Sequence, residues 1–219
     1  MGYYAEQIFP RLMDWMLRHP RIRDLRRQLL TPVYGHVLEI GFGTGLNLRY
    51  YPATVRALCA VDPADWLPKT ISARIACAPF PVDVQHVSAE ALPYEDRSFD
   101  CVVSTWTLCT IPDPVAVLDE VKRVLKPGGQ LIFLEHGASE DPRVRAWQAR
   151  LNPIQRRLGC GCHLDRPIEE LIRKAPFMIT HLDRFYLRGV PRIFGAMYRG
   201  LAIPLSPLRC QPPSRPSDS

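Results

Sequence analysis

Val37-Leu-Glu-Ile-Gly-Phe-Gly-Thr-Gly45 is the stretch on which the fold turns. A short apolar run that stops at three closely spaced glycines reads as a buried strand feeding a sharp turn. Backbone without a Cβ can bend tightly and lie directly against a ligand. Working outward, the alternation repeats. His36–Ile40 is the first predicted strand, Leu58–Asp62 the second, Val82–Val87 the third and Phe99–Thr105 the fourth. Gln130–Glu135 follows as a fifth after the turn Lys126-Pro-Gly-Gly129. Helical stretches lie between them, most clearly Pro114–Leu125. There Val115, Leu118, Val121, Val124 and Leu125 make an apolar face opposite Asp119, Glu120, Lys122 and Arg123. Further helices are expected over Pro142–Leu151 and Arg166–Lys174. A hairpin-like pair, Phe177–Leu182 and Phe185–Leu187, would close the sheet with an antiparallel C-terminal edge. The expectation is an α/β fold: a Rossmann-like, mostly parallel seven-stranded sheet with helices on both faces.

The glycine spacing carries chemistry as well as shape. It is Gly-x-Gly-x-Gly, whereas dinucleotide folds use Gly-x-Gly-x-x-Gly. Glu39 sits inside the strand end, where a carboxylate attracts a ligand bearing an ammonium and a sulfonium and repels a pyrophosphate. S-adenosyl-L-methionine has the first character and NAD the second. Asp62, 17 residues past Gly45, ends the second strand, where an acid can accept both ribose hydroxyl hydrogens. The segment beginning Ser88-Ala-Glu-Ala-Leu-Pro93 would lie along the adenine edge at the carboxyl ends of the strands.

These landmarks, in this order, resemble class I S-adenosylmethionine-dependent methyltransferases over roughly 36–135. The carriers are Glu39–Gly45, Asp62, Ala89-Glu-Ala-Leu-Pro93, Ser98-Phe-Asp100 and the Leu125–Gly129 turn. Quinone and lipid methyltransferases share them. The resemblance implies that Glu39, Gly41, Gly43 and Gly45 hold the methionine part of the cofactor and Asp62 the ribose, with Phe42, Asn47 and Pro63 also cofactor-binding. It implies that Ala89, Glu90 and Ala91 hold the adenine, and that Thr105, Trp106 and Thr107 complete the cofactor site. A narrower likeness, from about 37 to 200, is to animal methyltransferase-like proteins that methylate alkyl thiols. It rests on Gly43-Thr-Gly-Leu-Asn47, Tyr50-Tyr-Pro52, Val61-Asp-Pro63, Thr107-Leu-Cys109, Leu134-Glu-His136, Gly161-Cys-His-Leu-Asp-Arg166 and Pro191-Arg-Ile-Phe-Gly-Ala196. It departs at the N-terminus. The animal proteins open with a hydrophobic membrane segment, whereas this chain opens with Arg-rich amphipathic helices, so membrane integration does not carry over.

Methyl transfer is an in-line displacement that needs alignment rather than a covalent enzyme nucleophile. A small-molecule acceptor is expected: a thiol, a quinol or a lipid amine. A thiol reacts as its thiolate, and His136, just past the fifth strand, lies where a base belongs. The same histidine could instead shape the loop by hydrogen bonding, and residue type does not decide between the two. Cys109 and Trp106 are expected to line the pocket, Cys109 by packing, while the loop of His163 has no place readable from sequence. Cys160-Gly-Cys162-His163 offers metal-ligand types but lacks a fourth ligand and the usual spacing, so no metal is assigned. A nicotinamide oxidoreductase is opposed by Glu39 and the glycine spacing. A non-catalytic cofactor-binding subunit remains open.

Length and composition set the frame. The 219 residues, 47% of them hydrophobic, suit one core domain. Three segments are expected: an N-terminal helical lid over 1–31, a cofactor-binding domain over 32–203 and a disordered Pro- and Arg-rich tail over 204–219. The seven cysteines are scattered and odd in number, against a disulfide framework. No secretory signal or membrane-length apolar run is read, so a cytoplasmic protein is expected. The net charge of +6 concentrates at both ends, with six Arg and three acids in 1–31 and six Arg and one acid in 184–219. No nucleic-acid partner is expected, because no Asn/Asp-Pro-Pro-Tyr/Phe element follows the fourth strand. In the first helix, Ile8, Leu12, Trp15, Met16 and His19 fall on one stripe. With Tyr3, Tyr4 and Phe9 it could cap the acceptor, pack onto the sheet, or touch a membrane interface peripherally through the neighbouring Arg11, Arg18, Arg21 and Arg23.

Overall fold

The computed structural model describes residues 3–64 and 67–205. Its seven strands are β1 (Gly35–Ile40), β2 (Val55–Val61), β3 (Val82–Gln85), β4 (Phe99–Thr105), β5 (Leu125–His136), β6 (Phe177–Tyr186) and β7 (Ala196–Pro204), in the order β3-β2-β1-β4-β5-β7-β6. β1 runs parallel to both β2 and β4, β4 is parallel to β5, and β7 lies antiparallel between β5 and β6. The helices are α1 (Phe9–Leu17), α2 (Pro20–Leu30), α3 (Pro68–Ala76), α4 (Pro114–Val124), α5 (Pro142–Leu158), α6 (Ile168–Lys174) and α7 (Arg192–Gly195). The chain steps outward from β1 to β3 and returns to place β4 on the other side of β1. That reversal opens a crevice at the carboxyl ends of β1 and β4.

Alternation along each strand splits the core in two. Leu38, Ile40, Val102 and Phe133 face one way with Leu118 and Val121 of α4. Val37, Cys101, Val103, Ile132 and Leu134 face the other way with Leu29 and Leu30 of α2. Both faces of the central strands are therefore dry, as a parallel sheet requires. Asp113 caps α4, its carboxylate accepting from the amides of Val115 and Ala116 at 3.1 Å. On α4 the buried residues are Val117, Leu118, Val121 and Val124, while Val115 is exposed, so the apolar face is turned by one position from the sequence reading.

Four expectations are revised. Phe177–Leu182 and Phe185–Leu187 are not a hairpin, because Asp183-Arg184 does not turn. Asp183 pairs with Arg199 across the sheet at 2.6 Å and Arg184 with Glu169, so the chain continues as one strand, β6. Its partner is β7, reaching Pro204, where a disordered tail was expected to begin; residues 206–219 lie outside the described residues. α5 continues seven residues beyond Leu151, through Pro153. Finally, the N-terminal stripe does not pack onto the sheet. Ile8, Leu12, Trp15 and Met16 stay between 42 and 74% exposed, and α1 instead buries Pro10 and Asp14.

Gly200 lets β7 enter between its neighbours. A Cβ there would fall 2.4 Å from the His181 carbonyl oxygen and 2.6 Å from the Phe133 ring. Gly200→Ala is expected to destabilise the fold by about 1–3 kcal/mol through overpacking. Urea denaturation checks this; an unchanged midpoint would mean the β5-β7-β6 edge is looser than these distances require.

Candidate active site

The glycine loop is held open by its own backbone. The Gly41 amide donates to the Val61 carbonyl at 2.9 Å, and a Cβ on Gly41 would strike the Thr107 side chain 2.0 Å away. Gly43 differs. Its φ is +56°, and a Cβ there would meet nothing within 4 Å, so the peptide faces free space on the crevice side. Asp62 stands across that space, its carboxylate fixed by the amides of Gly43 at 2.8 Å and Ala64 at 3.0 Å. Pro63, beside it, is exposed.

Beneath the loop lies a buried polar network. The Glu39 carboxylate, 1% exposed, accepts from Asn47 Nδ2 at 2.8 Å and from the Tyr51 hydroxyl at 2.7 Å. Asn47 Nδ2 also donates to Thr105 Oγ1 at 3.0 Å, while its Oδ1 accepts from Arg26 Nη1 at 2.5 Å. Arg26 comes from α2, lies 4.8 Å from the centre of the Trp106 ring, and is buried. Burial pulls its guanidinium down to about 10 despite the nearby Glu39. Burial likewise pushes the Glu39 carboxyl up to about 7, outweighing its two hydrogen bonds and Arg26. Arg26 Nε is buried without a partner among the described residues.

α1 is tied to the same loop. Asp14 accepts from Thr44 Oγ1 at 2.6 Å and pairs with Arg74 at 2.8 Å and Arg18 at 2.5 Å; Arg74 also donates to the Thr44 carbonyl. The N-terminal helices therefore reach the loop at two points, Asp14 and Arg26. The sequence reading found neither, because an Arg or Asp in an Arg-rich amphipathic helix looks like any solvated charge.

On the other side of the crevice, the segment after β4 wraps a buried acid. Glu135 accepts from Ser104 Oγ at 2.7 Å and from the amides of Thr107 at 3.1 Å and Cys109 at 3.2 Å. Trp106 takes a left-handed conformation, φ +54°, to make this turn. His136, at the end of β5, is buried. Its Nδ1 lies 3.7 Å from Cys162 Sγ, and its Nε2 has no partner among the described residues. Cys162 Sγ in turn lies 3.8 Å from Cys109 Sγ. Beyond β3, Ala89 is buried and Glu90 accepts from the Asp113 amide at 3.1 Å, which moors Ala89–Ala91 to the start of α4. The structure thus gathers Glu39, the glycines, Asn47, Thr105 and Trp106 around one loop, with Asp62 facing it. Phe42 lies below, its ring 3.0 Å from where a Cβ on Gly45 would be.

A mostly parallel sheet whose order reverses beside a Gly-x-Gly-x-Gly loop, with an acid ending the second strand, defines a class I S-adenosylmethionine-dependent methyltransferase. Residues 38–133 match the family model of a methyltransferase domain. The chain is similar to thiol S-methyltransferase TMT1B of Homo sapiens, at 35% identity over 200 residues, covering 82% of this chain and 79% of the human protein. With thiol S-methyltransferase TMT1B of Rattus norvegicus, identity is 36% over 157 residues, covering 67% of this chain but only 62% of the rat protein. A solved SAM-dependent methyltransferase from Thermotoga maritima has the same fold, with a TM-score of 0.65 at 22% identity, covering 90% of this chain and 95% of that one. The chain belongs to the S-adenosylmethionine-dependent methyltransferase family that includes these thiol S-methyltransferases.

The residues present fit that cofactor. Free space over Gly43 accommodates a ligand against backbone, Asp62 suits ribose hydroxyls, and the unpartnered Arg26 Nε beside Glu39 suits an amino-acid end that carries both charges. Glu39 also makes the fold sensitive to pH. Its acid binds a proton more tightly in the folded chain than in the unfolded one. Between about 4.5 and about 7 the native state therefore holds more protons, and this group makes stability fall as pH rises. Glu39→Gln is expected to flatten that decline, measured by urea denaturation of cofactor-free protein at several pH values. An unaltered slope would show that another group titrates there.

Proposed function

We propose that this protein transfers the methyl group of S-adenosylmethionine to a small alkyl thiol, with His136 as the base. The observation that carries the reading is His136 itself: a buried imidazole at the carboxyl end of β5 whose Nε2 has no partner among the described residues. Bound in the crevice, the cofactor supplies a methyl carbon activated by a sulfonium, so the chain's task is to align and deprotonate the acceptor. Glu39, Asn47 and Arg26 orient the amino-acid end, Asp62 the ribose and Ala89–Ala91 the adenine. Trp106 and Cys109, following β4, wall the acceptor side. Similarity to thiol S-methyltransferases supports the thiol among the three acceptor classes.

The test is S-adenosylhomocysteine formation by purified protein across small alkyl thiols, quinols and lipid amines. Thiol-dependent product is expected. Product only with a quinol or a lipid amine would replace the acceptor, and cofactor binding with no product on any acceptor would replace the reading with a non-catalytic subunit. Asp62→Ala is expected to weaken cofactor binding by about tenfold or more, the loss of hydrogen bonds to a charged group. Calorimetric titration measures it, and unchanged affinity would remove the ribose role.

A second proposal concerns location: a cytoplasmic protein that rests on anionic membrane surfaces through α1. Ile8, Leu12, Trp15 and Met16 form an exposed apolar stripe, with Arg11, Arg18, Arg21 and Arg23 exposed beside it. A cavity of about 940 Å³ alongside is lined by Arg18, Arg23, Arg26, Arg49, Lys69 and Arg74, the sign that suits acidic headgroups. Six cysteines, Cys59 to Cys162, are free thiols, as in a reducing compartment. No helix among the described residues is long and apolar enough to cross a membrane. Co-sedimentation with phosphatidylserine-containing vesicles is expected for the wild type and reduced for Trp15→Glu. Equal pelleting of the two proteins, or none of the wild type, would remove α1 as the contact.

A further inference from the structure

We infer that Cys162 is a positioning residue for His136: its sulfur holds the Nδ1 side of the imidazole, so that Nε2 is the nitrogen that takes the acceptor's proton. The inference rests on the thiol-methylating reading above and deepens it. Three observations meet at this point. Cys162 Sγ lies 3.7 Å from His136 Nδ1, Cys109 Sγ lies 3.8 Å from Cys162 Sγ, and His136 Nε2 is buried with no partner among the described residues. An imidazole has one donor and one acceptor nitrogen when neutral, and a partner on one nitrogen fixes the role of the other. An anion on Nδ1 makes Nε2 the acceptor, the logic of any base oriented by a third group.

The surroundings favour an ionised Cys162. The Cys109 thiol is fully buried, and its hydrogen bond with Cys162 together with burial pushes it well above the ordinary range. That hydrogen bond and the contact with His136 hold Cys162 well below an ordinary thiol. The other charged groups nearby are Arg166, His163 and Glu135. Arg166 is anchored on the Leu108 and Ile111 carbonyls and its charge favours the thiolate, as that of a protonated His163 would. Glu135 is raised by burial and tied to amides of the segment after β4. In the proton step, the acceptor S–H bond breaks, its electron pair stays on the acceptor sulfur, and the proton moves to His136 Nε2. The resulting imidazolium is stabilised by the Cys162 thiolate at Nδ1. The sulfur then attacks the methyl carbon as its bond to the sulfonium breaks, and the proton leaves to solvent.

Two measurements test this, and they fail separately. The first is the pH dependence of Cys162 alkylation by iodoacetamide, read by peptide mass spectrometry with no acceptor present. An apparent pKa well below the roughly 8.5 of a free thiol is expected, raised in His136→Ala and in Cys109→Ser. An ordinary value in the wild type, or one unmoved by His136→Ala, would overturn the pairing. The second is kinetic. Cys162→Ala is expected to lower kcat with an alkyl thiol by about tenfold or more and to shift the acidic limb of the pH profile. Cofactor affinity should hold, and Cys162→Asp, which restores an anion at Nδ1, should recover part of the rate. Full activity in Cys162→Ala with an unchanged profile, or methylated Cys162 in the wild-type spectrum after turnover, would refute the positioning role. If the wild type turns over no thiol, the functional reading falls alone, and the alkylation series still decides the Cys162–His136 pair.

Discussion

The site depends on satisfying one buried carboxylate. Glu39 is placed by strand alternation on the face of β1 that leads into the glycine loop, almost without solvent. An isolated carboxylate there would cost several kcal/mol. It is tolerated because Asn47 and Tyr51 donate to it and Arg26 supplies a cation one residue away. Those partners come from the loop, from the segment just after it and from an N-terminal helix. Meeting the electrostatic demand of one acid therefore fixes the loop's conformation and brings α2 to the mouth of the crevice. Asn47 is the hinge of the arrangement, since it donates to Glu39 and Thr105 while accepting from Arg26.

That arrangement explains what could be read from sequence and what could not. The first five strands and the glycine loop were legible because their signals are local: apolar runs of strand length, glycines at fixed spacing, an acid at a strand end. Asp62 was legible for the same reason. Arg26, Tyr51 and Asp14 were not, because their roles exist only through contacts with residues 12 to 60 positions away. The exposed stripe of α1 misled in the opposite direction. Its period is that of a buried face, yet the helix is tied down through Asp14 on its polar side. The C-terminal edge failed for a related reason: Asp183-Arg184 resembles a turn until Arg199 and Glu169 are seen to receive both charges.

The division of labour across the crevice follows from the strand order. On the β1-β2-β3 side, the glycine loop, Asp62 and Ala89–Ala91 form a run of backbone and acids suited to one invariant ligand. On the β4-β5 side stand Trp106, Cys109 and His136, joined by Cys162 from the loop between α5 and α6. The fold itself permits many acceptors, and on the reading proposed above this second group selects among them. Its members are apolar or soft: an indole, two thiols and an imidazole.

Such a wall has a definite physical preference. It provides little to replace the hydration shell of a strongly solvated oxyanion or ammonium, whereas a sulfur nucleophile is weakly hydrated and polarisable and loses less on entry. Charge neutralisation between a thiolate and a sulfonium gains strength wherever the local dielectric is low. Arg166 keeps the local charge compatible with an anion forming there, and Glu135 is tied to Ser104 and to backbone amides. The similarity to thiol S-methyltransferases supports the thiol acceptor proposed above.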